Sequence, residues 1–172
     1  DTISSFDNPK FITKLVKEIS MEQLYTINKG LQIKINDQVL VAPAITLKYD
    51  KEFKPLFWKH SFESGLNVKI LAGVSEDDAE KGGWYVFCND RLILAHNQSS
   101  ETGWTGKHGD GAAEYHDQYF RFRGYVFFEA DDPAKLPWNT TKTVMNLDSN
   151  EYKFVRSEMI NIMSKVFRLM NR

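Results

Sequence analysis

The segment AKLPWNTTKT, Ala134 to Thr143, has the composition of a loop built to present a cation. Pro133 and Pro137 restrict the backbone on both sides of Leu136, and Trp138 is large enough to anchor the segment by burial. Beyond the indole, Asn139, Thr140 and Thr141 offer short side-chain donors and backbone amides. Lys142 then adds a flexible, charged ammonium, which meets a phosphate as a point charge. A plain connector needs neither the stiff lead-in nor the single cation. The competing reading is a polar loop with a solvated lysine, and the residues alone leave both open.

Two other clusters carry atoms capable of chemistry. His108, Asp110, Glu114, His116 and Asp117 lie close together, but the histidines are eight residues apart in a glycine-rich stretch. Zinc sites favour fixed geometry, such as two histidines one helical turn apart, so solvated loop polarity is preferred and no metal is assigned. Ser99, His96 and Asp110 contain the atoms of a hydrolytic triad, yet no G-x-S-x-G nucleophile elbow is present. The run Arg123-Gly124-Tyr125-Val126-Phe127-Phe128 overlaps the aromatic strand of RNA-recognition folds. Val126 stands where that motif wants a small residue and the basic surround is missing, so a buried strand is the better reading. RNA or protein binding by a stand-alone α+β module is kept as the alternative function.

These groups need elements to position them, and the composition permits a folded domain. A chain of 172 residues, 42% apolar and with 12 Phe, 7 Tyr and 4 Trp, is long enough for a real core and argues against disorder. The net charge of −1 gives no reason to require a nucleic-acid partner, and any phosphate site must be local. The single cysteine, Cys88, sits in the apolar run Trp84 to Cys88, which excludes a disulfide framework and suits a reducing cytoplasm. No run of about 18 apolar residues offers a membrane span, and the polar amino end lacks a signal sequence. The chain starts at Asp1 without an initiator methionine and stops at Arg172 within a running helical pattern, so it reads as a piece of something longer.

Asn8-Pro9 opens a helix whose apolar face is Phe11, Ile12, Leu15, Val16 and Ile19. Ser20 and Gln23 form a capping-box pattern that predicts a second short helix, closed by Gly30. Leu31, Ile33 and Ile35 alternate, Asn36-Asp37 turns, and Val39 to Val41 returns, predicting a hairpin. Ile45 to Leu47 reads as strand, whereas Phe53 to Phe62 has no clean period. A strand is predicted over Leu66 to Ala72, an acidic surface loop over Glu76 to Glu80, and a second hairpin over Trp84 to Cys88 and Leu92 to Ala95 around Asn89-Asp90. His96 to Ala113 is the least ordered part, and Phe120 to Glu129 is an aromatic strand stopped by Asp131-Asp132-Pro133. Asp148 or Ser149 caps a last helix with the stripe Tyr152, Val155, Met159, Ile162, Val166 and Met170. The class is α+β with a mixed or antiparallel sheet packed with helices.

With these elements in place the sequence resembles a known superfamily. The succession WYVFCNDRLILAHNQSSETGW, then YHDQYFRFRGYVFFEADDPAKLPWNTTKT, then a helix from LDSNEYKFV is similar to the region after the nucleotide-binding domain in the gyrase, heat-shock chaperone, histidine kinase and MutL (GHKL) ATPases, nearest to a bacterial MORC-related branch. The similarity covers residues 20–172 and is sharpest over Leu136 to Thr143.

The resemblance implies a transducer domain over 31–172, with a left-handed βαβ crossover as in one ribosomal protein. Residues 1–30 would be a helical lead-in from an ATP-binding domain. By motif position, Lys142 would touch the terminal phosphate, with Asn139, Thr140 and Thr141 shaping its loop and Trp138 anchoring it. Neither the magnesium-handling helix nor the Asp-x-Gly-x-Gly segment of such ATPases is found here. The chain by itself is therefore expected to hold no cofactor and to turn over no nucleotide, with ATP and magnesium belonging to a longer parent. The implied partners are the parent's own ATP-binding domain, a second copy, and an effector protein or DNA.

Overall fold

The computed structural model describes residues 8–42, 47–75, 81–105 and 113–171. The chain divides into two compact units, Asp1–Ile45 with Asp90–Leu92, and Thr46–Asn89 with Ile93–Arg172. The predicted acidic loop over Glu76 to Glu80 and the strand residues Ile45 and Thr46 lie outside the described residues.

In the first unit, helix α1 spans Pro9–Glu22. Asn8 caps it by accepting the Lys10 amide at 2.9 Å, and Pro9 takes the first-turn position where its missing N–H costs nothing. The Ser20–Gln23 capping box does not form. Helix α1 runs through Ser20, which is buried in its last turn, and Gln23 serves as the cap that separates it from helix α2, Leu24–Asn28. The predicted hairpin follows as β1, Lys34–Ile35, and β2, Gln38–Val39. Asn36 and Asp37 turn it with φ of 46° and 63°, the left-handed pair that a two-residue hairpin turn demands.

The second unit is a five-stranded sheet in the order β3-β4-β7-β5-β6, covered on one face by helix α3, Asn150–Met170. Strand β3 is Leu56–Ser61, β4 is Asn67–Val74, β5 is Gly83–Cys88, β6 is Arg91–Asn97 and β7 is Phe122–Glu129. β3 and β7 both run antiparallel to β4, while β5 and β7 are parallel, so the sheet is mixed and the class is α+β. The link between the two parallel strands carries β6 and short 3-10 turns, and α3 follows the sheet.

Strand β3 occupies a stretch that has no clean period in sequence. Its burial alternates, but Phe57 faces solvent at 62% exposure, so an aromatic stands where alternation calls for a polar residue. The inward residues Trp58 and His60 stack on one another and reach Phe154 of α3.

Register aligns the core. Val68, Ile70, Ala72 and Val74 of β4 face Phe128, Val126, Gly124 and Phe122 of β7, and Trp84, Val86 and Cys88 of β5 complete the same face. The α3 stripe of Tyr152, Val155, Met159, Ile162, Met163, Val166 and Phe167 packs into this cluster. Each such apolar side chain contributes about 1.5–3 kcal/mol by leaving water. Ser149 starts α3 where expected, accepting the Tyr152 amide at 2.9 Å. Among the described residues no helix is long and apolar enough to cross a membrane.

Candidate functional site

The loop carrying Lys142 hangs between β7 and α3 and is closed at its base by short-range bonds. Asp132 accepts the Ala134 amide at 2.9 Å and starts a 3-10 turn over Pro133–Lys135. Leu136 then turns inward, 4% exposed, and Met145 enters from the other side at 6%. Trp138 and Met145 meet in an isolated antiparallel bridge, with Asn139 N–H donating to Val144 O at 3.0 Å and Asn146 N–H to Pro137 O at 2.9 Å. Burial at the base thus falls on Leu136 and Met145. Trp138 is half-buried, its indole N–H donating to Pro133 O at 3.1 Å.

Asn139 organises the loop from inside. Its Oδ1 accepts the amides of Thr143 at 2.9 Å and Val144 at 3.3 Å, and its Nδ2 donates to Thr141 Oγ1 at 2.6 Å. The Thr141 and Thr143 hydroxyls lie 2.8 Å apart, hydrogen-bonded to each other. Lys142 N–H donates to Asn139 O at 2.9 Å, closing a turn over Asn139 to Lys142 with Thr140 exposed on it. The Asn139 and Thr141 side chains are therefore engaged in holding the loop's shape.

Lys142 itself has φ 57°, a left-handed backbone that costs a side-chain-bearing residue about 1–2 kcal/mol. Its ammonium lies 5.1 Å from the centroid of the Trp138 ring, in reach of the indole's negative face. Among the described residues no carboxylate pairs with it, and the residue is exposed. The arrangement is an available cation on a braced loop, held over an aromatic plate. Chemically it can meet an anion arriving from outside the chain. Met145, which closes the base, is not distinguished in the sequence from its apolar neighbours Val144 and Leu147.

No family model matches the chain, and no curated protein matches it. Among solved structures, the crystal structure of the B-subunit of DNA gyrase from Myxococcus xanthus overlaps 67% of this chain and 39% of its own, at 14% identity and a TM-score of 0.45. This chain thus spans well under half the length of that protein.

The other candidate clusters fall partly outside the described residues. His108 and Asp110 lie outside the described residues, and among those described no three His, Cys, Asp or Glu side chains could share a metal. His116 instead accepts the Gln118 amide at 3.3 Å through Nδ1, starting a 3-10 turn. Ser99 caps the turn at Ser100–Thr102 and bonds Asn97 and Glu101, while His96 sits at φ 37° at the end of β6. The aromatic strand is buried except at the half-buried Phe127 and Glu129. Tyr125 stacks on Tyr85 at 5.4 Å, Phe127 on Phe87 at 5.0 Å, and Phe128 is fully buried. Arg123 is 2% exposed and donates to the carbonyls of Phe120 at 2.7 Å and Phe122 at 3.0 Å.

Proposed function

We propose that this chain is the transducer portion of a GHKL-type ATPase, and that Lys142 offers its ammonium to the terminal phosphate of a nucleotide held by an ATP-binding domain of the same protein. The observation carrying this reading is the Lys142 loop itself. It is braced by Asn139 and the Trp138–Met145 bridge, yet its cation has no carboxylate partner among the described residues. A lysine kept for solubility needs no such bracing, nor a left-handed backbone to turn it outward. Bound ATP and magnesium would supply the phosphoryl group and its charge. The lysine would stabilise that charge from a fixed position, which avoids reorganisation as the reaction proceeds.

The same loop offers a route for relay. Its outgoing arm is tied to the start of α3, with Asp148 N–H donating to Asn146 Oδ1 at 3.2 Å and Ser149 N–H to Asn146 O at 3.3 Å. Ser149 is the cap of the helix. A contact that favoured one position of Lys142 would bias α3, and through it an effector protein, DNA or a second copy. The RNA-binding alternative through Arg121, Arg123 and Tyr125 is less well supported, because the rings it needs are buried.

The deciding experiment measures nucleotide turnover by the full-length protein with Lys142→Ala and Lys142→Gly. The reading requires a fall of about a hundredfold or more in both, with unchanged circular dichroism and melting. Wild-type rates in both variants would remove the assignment.

A further inference from the structure

A second site lies on the other flank of the α3 start, where the helix faces the Ser100–Thr102 turn across a groove of about 700 Å³. Its volume is that of a pocket for a small organic molecule. Its apolar lining is Leu147 and Ile160, and Leu147 stands 41% exposed.

Two cations line this groove. The Arg156 guanidinium is fixed against the turn, donating from Nε at 3.0 Å and Nη2 at 2.8 Å to Ser100 O. A guanidinium fixed in this way has already given up much of the side-chain entropy that binding would otherwise cost. Lys153 stands one turn earlier on α3 and is ion-paired at 3.9 Å with the fully exposed Asp148. One acid, Glu101, shares the lining, with its carboxylate accepting Asn97 Nδ2 at 3.0 Å and Ser99 Oγ at 3.5 Å.

We propose that this groove binds an organic monocarboxylate, its anionic head between Lys153 and Arg156 and its apolar body on Leu147 and Ile160. The charge balance decides between anions. Glu101 in the lining and Asp148 beside Lys153 both oppose the second charge of a phosphate, so a single negative charge suits the two cations better. The apolar lining excludes a bare inorganic ion as the best fit, because Leu147 and Ile160 would stay wet. The inference stands apart from Lys142, and neither reading depends on the other.

The test is a nitrogen-15 NMR titration of the 172-residue chain. The probes are N-acetyl-leucine, its uncharged amide and inorganic phosphate. N-acetyl-leucine should give saturable shifts at the amides of Ser100, Glu101 and Lys153. Binding should weaken about tenfold for the amide, for Lys153→Gln and for Leu147→Ser, a factor within reach of one charge-assisted bond or one apolar contact. Both substituted residues are exposed, so the fold should survive, which unchanged shifts elsewhere would show. The proposal is overturned by equal binding of the amide, by phosphate matching the carboxylate, by wild-type affinity in Lys153→Gln, or by no saturation below about 10 mM.

Discussion

The indole of Trp84 lies flat against the bare backbone of Gly124, its partner across the parallel β5–β7 pair. A Cβ built on Gly124 would overlap Cε3 and Cζ3 of the ring and stand 2.7 Å from Cδ2. The large side chain fills the space that the missing one leaves, and its edge packs on Phe122 at 5.1 Å. Both residues sit at the centre of the sheet beneath α3.

Gly124→Ala should therefore destabilise the domain by about 1–3 kcal/mol or more, since neither β7 nor the ring has room to retreat. In a chain of this size that lowers Tm by about 2–12 °C. Combining it with Trp84→Leu should cost less than the sum of the two single changes, because the shorter side chain frees the space that alanine needs. Strict additivity in urea melts would show that the contact is not the cause.

The Lys142 backbone makes a separable claim. At φ 57° a glycine relieves strain but adds freedom to the unfolded chain, so Lys142→Gly should leave stability within about 0.5 kcal/mol. Lys142→Val, β-branched in a left-handed position, should cost about 1–2 kcal/mol. Equal stability of the two variants in denaturant would mean that the turn is not held in this conformation.

The contrast between these two sites bears on what the sequence makes legible. The α3 stripe, the β4 alternation and both Asn-Asp turns could be read because each is a local pattern repeated with one period. Strand β3 could not, since Phe57 faces water and Trp58 packs on a helix nearly a hundred residues away. Ser20 misled because a capping box and a helix interior can share the same four residues, and here α1 continues through a buried Ser20 to Glu22. At the candidate site the single cation was visible in sequence, but Met145 opposite Trp138 was not, and neither, at the α3 groove, was Arg156 against Ser100. Pairings of that kind are set by how loops return, and no local periodicity encodes them.

Asn139 carries the internal bonds of the Lys142 loop, so Asn139→Ala should loosen it without unfolding the sheet. Loss of the bonds to the Thr143 and Val144 amides predicts about 1–2 kcal/mol of local stability. Amide exchange at Thr143 should accelerate about tenfold, while exchange in β4 and β7 stays as in wild type. Uniform acceleration throughout would instead make Asn139 part of the global core.

Alkaline pH should expose the buried titratable groups of the α3 interface. Burial pushes the Cys88 thiol from 9.0 up to about 12. The Tyr152 phenol, which donates to Glu101 O at 3.0 Å, is raised above 10.0, first by burial and then by the Glu101 charge. The unfolded chain sheds these protons first, so it binds fewer protons than the folded one. Stability must therefore fall as pH rises from about 9 towards 12, by up to about 1.4 kcal/mol per pH unit for each group. Below pH 9 this contribution is fully retained. Cys88→Ala should be less stable at pH 7, from the cavity it leaves, yet show a shallower decline above pH 9. Consistently, Cys88 should resist iodoacetamide at pH 8 until denaturant is added. Rapid alkylation of the folded chain, or identical slopes for the two proteins, would contradict a thiol sealed between β5 and α3.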